Sequence, residues 1–173
     1  MYDALIAFIP KDNEQKLTDV QIKSLLAWLN STFIQYYIET HGRRSGGGII
    51  GLEVNIAKEM PILDVWRLNN KHLELLASKF DELEAETRRI DGASDKEQIK
   101  RLKTKIYEID SIIGKIIGLS EEDIKAIQAI VKELIERRVL ATRTSSPKTV
   151  KSEGSQKRKA RRIEPVKKLD EFI

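Results

Sequence analysis

Residues 76–116 read LASKFDELEAETRRIDGASDKEQIKRLKTKIYEIDSIIGKI, and their apolar positions recur in alternating steps of three and four residues. The stepping positions are Leu76, Phe80, Leu83, Thr87 and Ile90, followed by Ile99, Leu102, Ile106, Ile109, Ile113 and Ile116. An average period of 3.5 residues is typical of the seam of a coiled coil. The four-residue segment DGAS between the two halves is short enough to force them antiparallel. The pattern therefore predicts a helical hairpin over residues 65–90 and 95–117, about 35 Å long at 1.5 Å of rise per residue.

A helix is predicted on either side of this hairpin. The capping sequence SEED at 120–123 begins one that continues to about residue 139, with an apolar stripe of isoleucine, valine and leucine. Upstream, Thr18 or Asp19 can cap a helix that runs to about residue 41, with Gly42 as a left-handed stop residue. We assign Asn30, a polar residue in an aliphatic run of this helix, a structural role.

Two short segments have the character of strands. Residues 4–10 alternate weakly and stop at a proline, and residues 49–54 form a second apolar run. Because a lone strand is not stable, the first segment either pairs with the second or has its neighbours on another polypeptide. One helical turn is expected at 55–60. The fold class predicted is mainly α with a small β element (α+β).

The amino-acid composition argues against several classes of function. The 173 residues, 40% of them hydrophobic and 34% charged, suit one domain with appendages or two very small ones. There is no cysteine, and the two histidines, His41 and His72, are far apart in sequence, so thiol chemistry and a histidine metal site are not expected. We see no signal peptide and no apolar run of roughly 20 residues, which predicts a soluble, cytoplasmic protein without membrane contact.

The charge is unevenly distributed. Residues 142–173 carry ten Lys and Arg against four acids, which gives +6, whereas the rest of the chain sums to −2. This separation is typical of a folded module with a basic arm. We divide the chain into an N-terminal segment at 1–64 with a strand, a helix, the Arg/Gly loop and a second strand, a helical hairpin with a third helix at 65–141, and a disordered basic tail at 142–173.

The first candidate binding site is a cationic, glycine-rich loop. It contains Arg43, Arg44, Ser45, Gly46, Gly47 and Gly48. Guanidinium groups match phosphate geometry, and glycines let main-chain N–H groups approach a nucleic-acid backbone. It is neither a P-loop nor a dinucleotide fingerprint, because no lysine precedes a serine or threonine after the glycines and the loop follows a helix rather than a strand. The competing interpretation, a surface connection with two solvated arginines, remains open.

The aromatic residues near this loop also allow two interpretations. Trp28, Phe33, Tyr36 and Tyr37 can stack on bases, but their helical spacing favours core packing.

The tail contains the other candidate sites. A basic cluster is expected to bind polyanions without sequence preference; it comprises Lys157, Arg158, Lys159, Arg161 and Arg162. The last eight residues resemble a sliding-clamp-binding peptide, with Leu169, Phe172 and Ile173 in the apolar positions. In this peptide Val166 stands where glutamine is usual, and Ile173 replaces the second aromatic residue.

Several segments together resemble a known family. They are LLAWLNSTF at 25–33, GR at 42–43, GGG at 46–48, LEV at 52–54, MPI at 60–62 and IDSIIGKIIGLSEEDI at 109–124. Over about residues 4–130 the chain is similar to the C-terminal part of adenine-specific N6 DNA methyltransferases of restriction–modification systems. The resemblance implies a target-recognition region that binds DNA, and a helix pair that closes the chain.

The departures from that family are as informative as the matches. The Asn-Pro-Pro-Tyr or Asp-Pro-Pro-Tyr motif is missing, as is a glycine-rich loop after a strand for S-adenosylmethionine. The resemblance therefore implies a segment that binds DNA but holds no cofactor and does not methylate alone. S-adenosylmethionine would belong to the complete enzyme, on a catalytic methyltransferase domain or subunit.

Two other functions stay open. The chain can be a non-enzymatic helical adaptor whose tail binds nucleic acid and a sliding clamp. A complete enzyme would require a carboxylate pair or a metal cluster, for which the sequence offers no candidate, and we assign no catalytic or metal-binding residue.

Overall fold

The computed structural model describes residues 16–45, 48–89 and 95–145. In chain order its elements are α1 (Asp19–Leu29), α2 (Thr32–His41), β1 (Arg43–Arg44), β2 (Ile50–Gly51), α3 (Val54–Glu59), α4 (Asn70–Arg88), α5 (Asp95–Ile116) and α6 (Glu121–Ser145). The predicted class, mainly α with a small β element, is confirmed.

The predicted hairpin is formed by α4 and α5. Two ion pairs cross it in the antiparallel sense, Lys79 to Glu108 and Lys105 to Glu82, each at 2.8 Å. The first helix begins at Asn70 instead of 65, because the side chain of Asn69 accepts a hydrogen bond from the backbone of His72 at 2.9 Å. This is the N-cap geometry that starts a helix.

The seam is buried over only part of its length. Leu76, Ile109 and Ile113 are fully buried, whereas Ile99 is 55% exposed and Thr87 is exposed as well. The buried half lies where α1 and α2 also pack, and its core includes Trp28, Ile34, Met60 and Leu63. The hairpin is therefore one part of a helical bundle, and α1 packs on α4 across the predicted boundary at residue 64.

The prediction of a single helix from residue 18 or 19 to 41 is wrong, because the helix is interrupted at Asn30 and Ser31. Ser31 is extended, with φ −73° and ψ 159°, and its hydroxyl caps α2 while donating to the Trp28 carbonyl at 2.7 Å. Asn30 donates to the Leu26 carbonyl at 2.8 Å, which gives it the structural role expected. The break lets α1 pack on α4 while α2 packs on α6.

Gly42 is not the left-handed stop residue predicted, since its φ is −66° and its ψ is 146°. A glycine is needed there for space. An added Cβ would lie 2.3 Å from Cγ2 of Ile50 and 2.5 Å from the carbonyl oxygen of Ile38. The chain therefore leaves α2 by passing close over its last turn.

The predicted strand at 49–54 is reduced to β2, and its partner is β1. The pairing is antiparallel, with Arg43 opposite Gly51 and Arg44 opposite Ile50. The interpretation of 42–48 as a loop is thus wrong at the two arginines, which form a strand. Residues 4–10, proposed as an alternative partner, lie outside the described residues.

The turn from α5 to α6 depends on two glycines. Gly118 is left-handed, with φ 81°, and Leu119 N–H donates to the Gly114 carbonyl at 2.8 Å, a glycine-ended C-cap. Gly114 lies against Ile124 of α6, where an added Cβ would clash. The predicted cap is present, because Ser120 and Asp123 bond reciprocally. The helix continues to Ser145, so residues 142–145, expected in the tail, are helical.

Candidate nucleic-acid interface

The cationic site predicted from sequence is a two-stranded ribbon, formed by β1 and β2, at the C-terminal end of α2. Arg43, Arg44 and Ser45 are exposed, and Ser45 N–H donates to the Ile49 carbonyl at 2.9 Å. Gly48 re-enters the described chain with φ 77°, a conformation that favours glycine. Gly46 and Gly47 lie outside the described residues. The ribbon thus brings two of the predicted cations to the surface on regular backbone.

Among the described residues, the side chain of Arg43 pairs weakly with Glu53. Its Nη1 lies 3.0 Å from Oε1 of Glu53, and the two side chains are 74% and 43% exposed. Exposed pairs of this kind contribute at most about 1 kcal/mol to stability. Separating this pair therefore costs little.

The base of the ribbon is attached to α6 by Arg138. Its guanidinium donates to both carboxylate oxygens of Glu39, from Nη2 to Oε1 at 2.9 Å and from Nε to Oε2 at 3.2 Å. Its Nη1 donates to the Gly48 carbonyl. The Glu39 side chain is 1% exposed, so its charge is compensated by Arg138 inside the protein.

The other end of α2 is held by a second buried carboxylate, Asp110 of α5. It accepts hydrogen bonds from Thr32 N at 2.8 Å, from Thr32 Oγ1 at 2.6 Å and from Gln128 Nε2 at 2.9 Å. Burial raises the pKa of Asp110, and the hydrogen bonds from Thr32 and Gln128 oppose that shift. One side chain therefore joins α2, α5 and α6 at the end of α2 that is opposite the ribbon.

Sequence reasoning assigned no role to Asp110, Glu39 or Arg138. The available signal for Asp110 was a single acid inside an isoleucine run, on the face next to the seam. Glu39 and Arg138 had no comparable signal, because both lie among ordinary polar positions of amphipathic helices.

Three of the four aromatic residues, Trp28, Phe33 and Tyr37, pack within the fold, as the sequence favoured. Trp28 is buried and donates from Nε1 to the Pro61 carbonyl at 2.9 Å, and its ring stacks on Phe33. Tyr37 donates to the Ile56 carbonyl at 3.0 Å and stacks on His41. Tyr36, 40% exposed, is the member of this group that keeps substantial surface.

The remaining predicted site residues are all in the tail. The basic cluster Lys157, Arg158, Lys159, Arg161 and Arg162, and the apolar residues Leu169, Phe172 and Ile173, lie outside the described residues. Their roles stay predictions.

Three further observations concern the described part of the chain. Within it, no three His, Cys, Asp or Glu side chains are grouped so that they could hold a metal ion. A hollow of about 340 Å³ between the starts of α1 and α4 is lined by Thr18, Val20, Gln21, Asn70, Leu73 and Glu74. That lining presents one carboxylate and no cation, which does not suit a phosphate group. No helix among these residues has both the length and the apolar character to cross a membrane.

Comparisons with protein-family models, with curated proteins and with solved structures found no match for this chain.

Proposed function

We propose that this chain is the DNA-binding, target-recognition and helical scaffold segment of an N6-adenine DNA methyltransferase of a restriction–modification system. The observation that carries the proposal is the outward display of Arg43 and Arg44 on a ribbon anchored to a helical bundle. In this proposal the chain holds DNA. A catalytic methyltransferase domain or subunit binds S-adenosylmethionine and transfers the methyl group, in the cytoplasm.

The packing supports treating the two resembling regions as one unit. The LNSTF segment ends α1 and starts α2, and the IDSIIGK segment belongs to α5. Thr32 of the first bonds twice to Asp110 of the second, across 78 residues of sequence. Two motifs that contact each other in the core are expected to occur together, which favours a shared origin over two chance matches.

The ribbon geometry suits a duplex. Successive side chains on a strand point to opposite faces, so Arg43 and Arg44 project from the two sides of the ribbon. The major groove of B-DNA admits a two-stranded ribbon. A ribbon that enters edge-first would offer one guanidinium to each wall of the groove, where phosphate contacts set position and register.

The test is fluorescence anisotropy with a labelled duplex at two salt concentrations, with full-length protein. We expect the Arg43→Ala/Arg44→Ala variant to bind roughly tenfold to a hundredfold more weakly and its salt slope to fall by about 1.8, because two phosphate contacts are lost. The control is Lys71→Ala/Lys125→Ala, which removes the same charge from exposed positions on α4 and α6. Unchanged affinity and slope in the arginine variant, or an equal loss in the control, would remove the ribbon from the interface.

A truncation separates the ribbon from the tail. The cut belongs after Ser145, where α6 ends, so that the helix is kept whole. We expect residues 1–145 to retain ribbon-dependent DNA binding, with a lower salt slope because the basic cluster is gone. If all DNA affinity disappears with residues 146–173, the adaptor interpretation gains. Direct binding of a sliding clamp, lost in Leu169→Ala/Phe172→Ala, would then support it.

A further inference from the structure

We propose that Arg138 is a positioning residue for DNA binding: it holds the arginine ribbon in its binding geometry without contacting DNA. This inference rests on the proposed function and adds a residue that the sequence did not single out. Its basis is that one guanidinium contacts α2 and the ribbon at the same time.

The contact to α2 is a planar, two-bonded fork. Nε and Nη2 of Arg138 face the two oxygens of Glu39, which is the bidentate geometry that lysine cannot reproduce. Because the Glu39 side chain is 1% exposed and that of Arg138 is 22% exposed, solvent does not compete strongly for these bonds. The fork therefore fixes the guanidinium plane in space, and its remaining nitrogen is directed at the Gly48 carbonyl.

Holding Gly48 restrains the arginines through a short path. Two residues later Ile50 pairs with Arg44, and the bond from Ser45 to Ile49 closes the end of the ribbon. At its other side the ribbon leaves α2 at Gly42, which packs directly under Ile50. Strand β1 is therefore tied to the end of α2, and strand β2 is tied to α6 through Arg138.

The benefit for binding is preorganisation. A ribbon of two residues per strand is too short to be stable alone, so without Arg138 its ordering would have to occur on binding. The cost would appear as weaker affinity. The number of phosphates neutralised would not change, because the Arg138 guanidinium is already engaged by Glu39 and Gly48. Loss of affinity at constant salt slope is thus the signature of positioning, in contrast to the loss of slope expected for Arg43 and Arg44.

The experiment compares Arg138→Gln and Glu39→Gln with Arg137→Gln in the anisotropy assay. Arg137 is the neighbouring residue, 72% exposed and paired with Glu133 on its own helix. We expect Arg138→Gln and Glu39→Gln, the two latch variants, to bind about five- to twentyfold more weakly with the salt slope of the wild type, because the ordering cost moves to the binding step. We expect Arg137→Gln to stay within about twofold, as exposed charges contribute little.

Glu39→Gln provides the sharpest readout, because it removes a negative charge. Simple electrostatics predicts tighter DNA binding for this variant, whereas positioning predicts weaker binding. A residue that only stabilised the bundle would lower Tm and leave the affinity of folded protein unchanged. Tm is therefore measured in parallel, and binding is measured well below it.

A measurement on the wild type covers the case in which the latch variants do not fold. Hydrogen exchange of the Ser45 amide should be slowed in the free protein, since the bond to Ile49 is formed before DNA binds. Free exchange at Ser45, or latch variants that bind like Arg137→Gln, would overturn the role of Arg138 while leaving the ribbon as the DNA contact. Wild-type binding by Arg43→Ala/Arg44→Ala would instead overturn the proposed function itself.

Discussion

The two ends of α2 satisfy a buried carboxylate in different ways. At its start, Asp110 accepts hydrogen bonds from neutral donors, Thr32 and Gln128, in the centre of the bundle. Near its end, Glu39 is paired with a cation, Arg138, that also holds the exposed ribbon. A network of neutral donors binds elements into one core, whereas an ion pair near the surface can connect the core to a peripheral element. The hydrogen bonds of Asp110 therefore affect mainly the stability of the bundle. The pair of Glu39 with Arg138 affects the position of the ribbon that we propose binds DNA.

The largest expected effect is the loss of stability when the carboxylate at the start of α2 is removed. Asp110→Ala leaves the Thr32 N–H, the Thr32 hydroxyl and the Gln128 amide without their acceptor in the core, where each unsatisfied group costs about 1–3 kcal/mol. We expect the free energy of unfolding in urea to fall by about 3 kcal/mol or more. The loss should appear as a lower midpoint with little change in the m-value.

The matched control for this variant is Asp110→Asn, which keeps the shape and one acceptor and should lose about half as much. DNA affinity measured where Asp110→Ala is still folded should stay within a fewfold of the wild type. A stability loss below about 1 kcal/mol would mean that the three hydrogen bonds do not hold α2, α5 and α6 together.

A smaller effect is expected at Gly42, where the ribbon passes over α2. Gly42→Ala places a Cβ 2.5 Å from the Ile38 carbonyl oxygen, and this backbone atom cannot move aside without distorting the helix end. We expect a loss of about 1–3 kcal/mol, as for other overpacked sites. Since the ribbon must shift to relieve the clash, DNA affinity should fall as well. Thermal unfolding and anisotropy on the same sample test both effects.

Gly51 supplies the control on the opposite strand. A Cβ at Gly51 would lie 3.9 Å from the Arg43 carbonyl oxygen, an ordinary contact. Gly51→Ala should therefore change stability by less than Gly42→Ala does. Equal losses in the two variants would contradict the close approach at Gly42.

The smallest effect concerns the ion pairs that cross α4 and α5. Hydrogen bonds from Lys105 and Lys79 lower the pKa of Glu82, and those from Lys79 and then Lys105 lower the pKa of Glu108. Because the folded pKa lies below the unfolded one, this stabilisation is present at neutral pH and is lost as pH falls through the lowered pKa. Glu82→Gln should therefore reduce stability slightly at pH 7, and less and less toward pH 3.

The pH comparison is made as a difference between wild type and Glu82→Gln. The raised pKa of Asp110 contributes with the opposite sign, since that contribution is present at low pH and is lost as pH rises, and it cancels in the difference. A gap between the two proteins that persists unchanged to pH 3 would show that Glu82 acts through packing and not through charge.

Local patterns predicted the elements with strong periodicity. The helix expected at 95–117 is α5, Asp95–Ile116, because its isoleucines repeat over about five turns and its end is marked by a glycine. The cap at Ser120 was also predicted, since Ser120 and Asp123 bond to each other and require no distant partner. Features of this kind depend on residues within one turn of each other.

The features that the sequence could not predict depend on distant partners. Asn30 and Ser31 are tolerated inside helices, so the break between α1 and α2 is not evident without Asp110, whose oxygens receive the first N–H group and hydroxyl of α2. A two-residue strand has no periodicity, and Arg43 and Arg44 are a strand because Ile50 and Gly51 lie beside them. Arg137 and Arg138 are adjacent arginines with the same local context, and the fold alone distinguishes them.

By itself, then, the sequence determined that this protein is mainly helical, that two of its long helices form an antiparallel hairpin, and that its excess positive charge lies in residues 142–173. It did so because helix formation, capping and net charge are set by neighbouring residues. Tertiary structure decided which carboxylates are buried and which arginine compensates one of them, since Glu39 and Arg138 are 99 residues apart and meet only when α2 packs on α6. Burial makes such a pair energetically significant, and burial is a property of the folded chain.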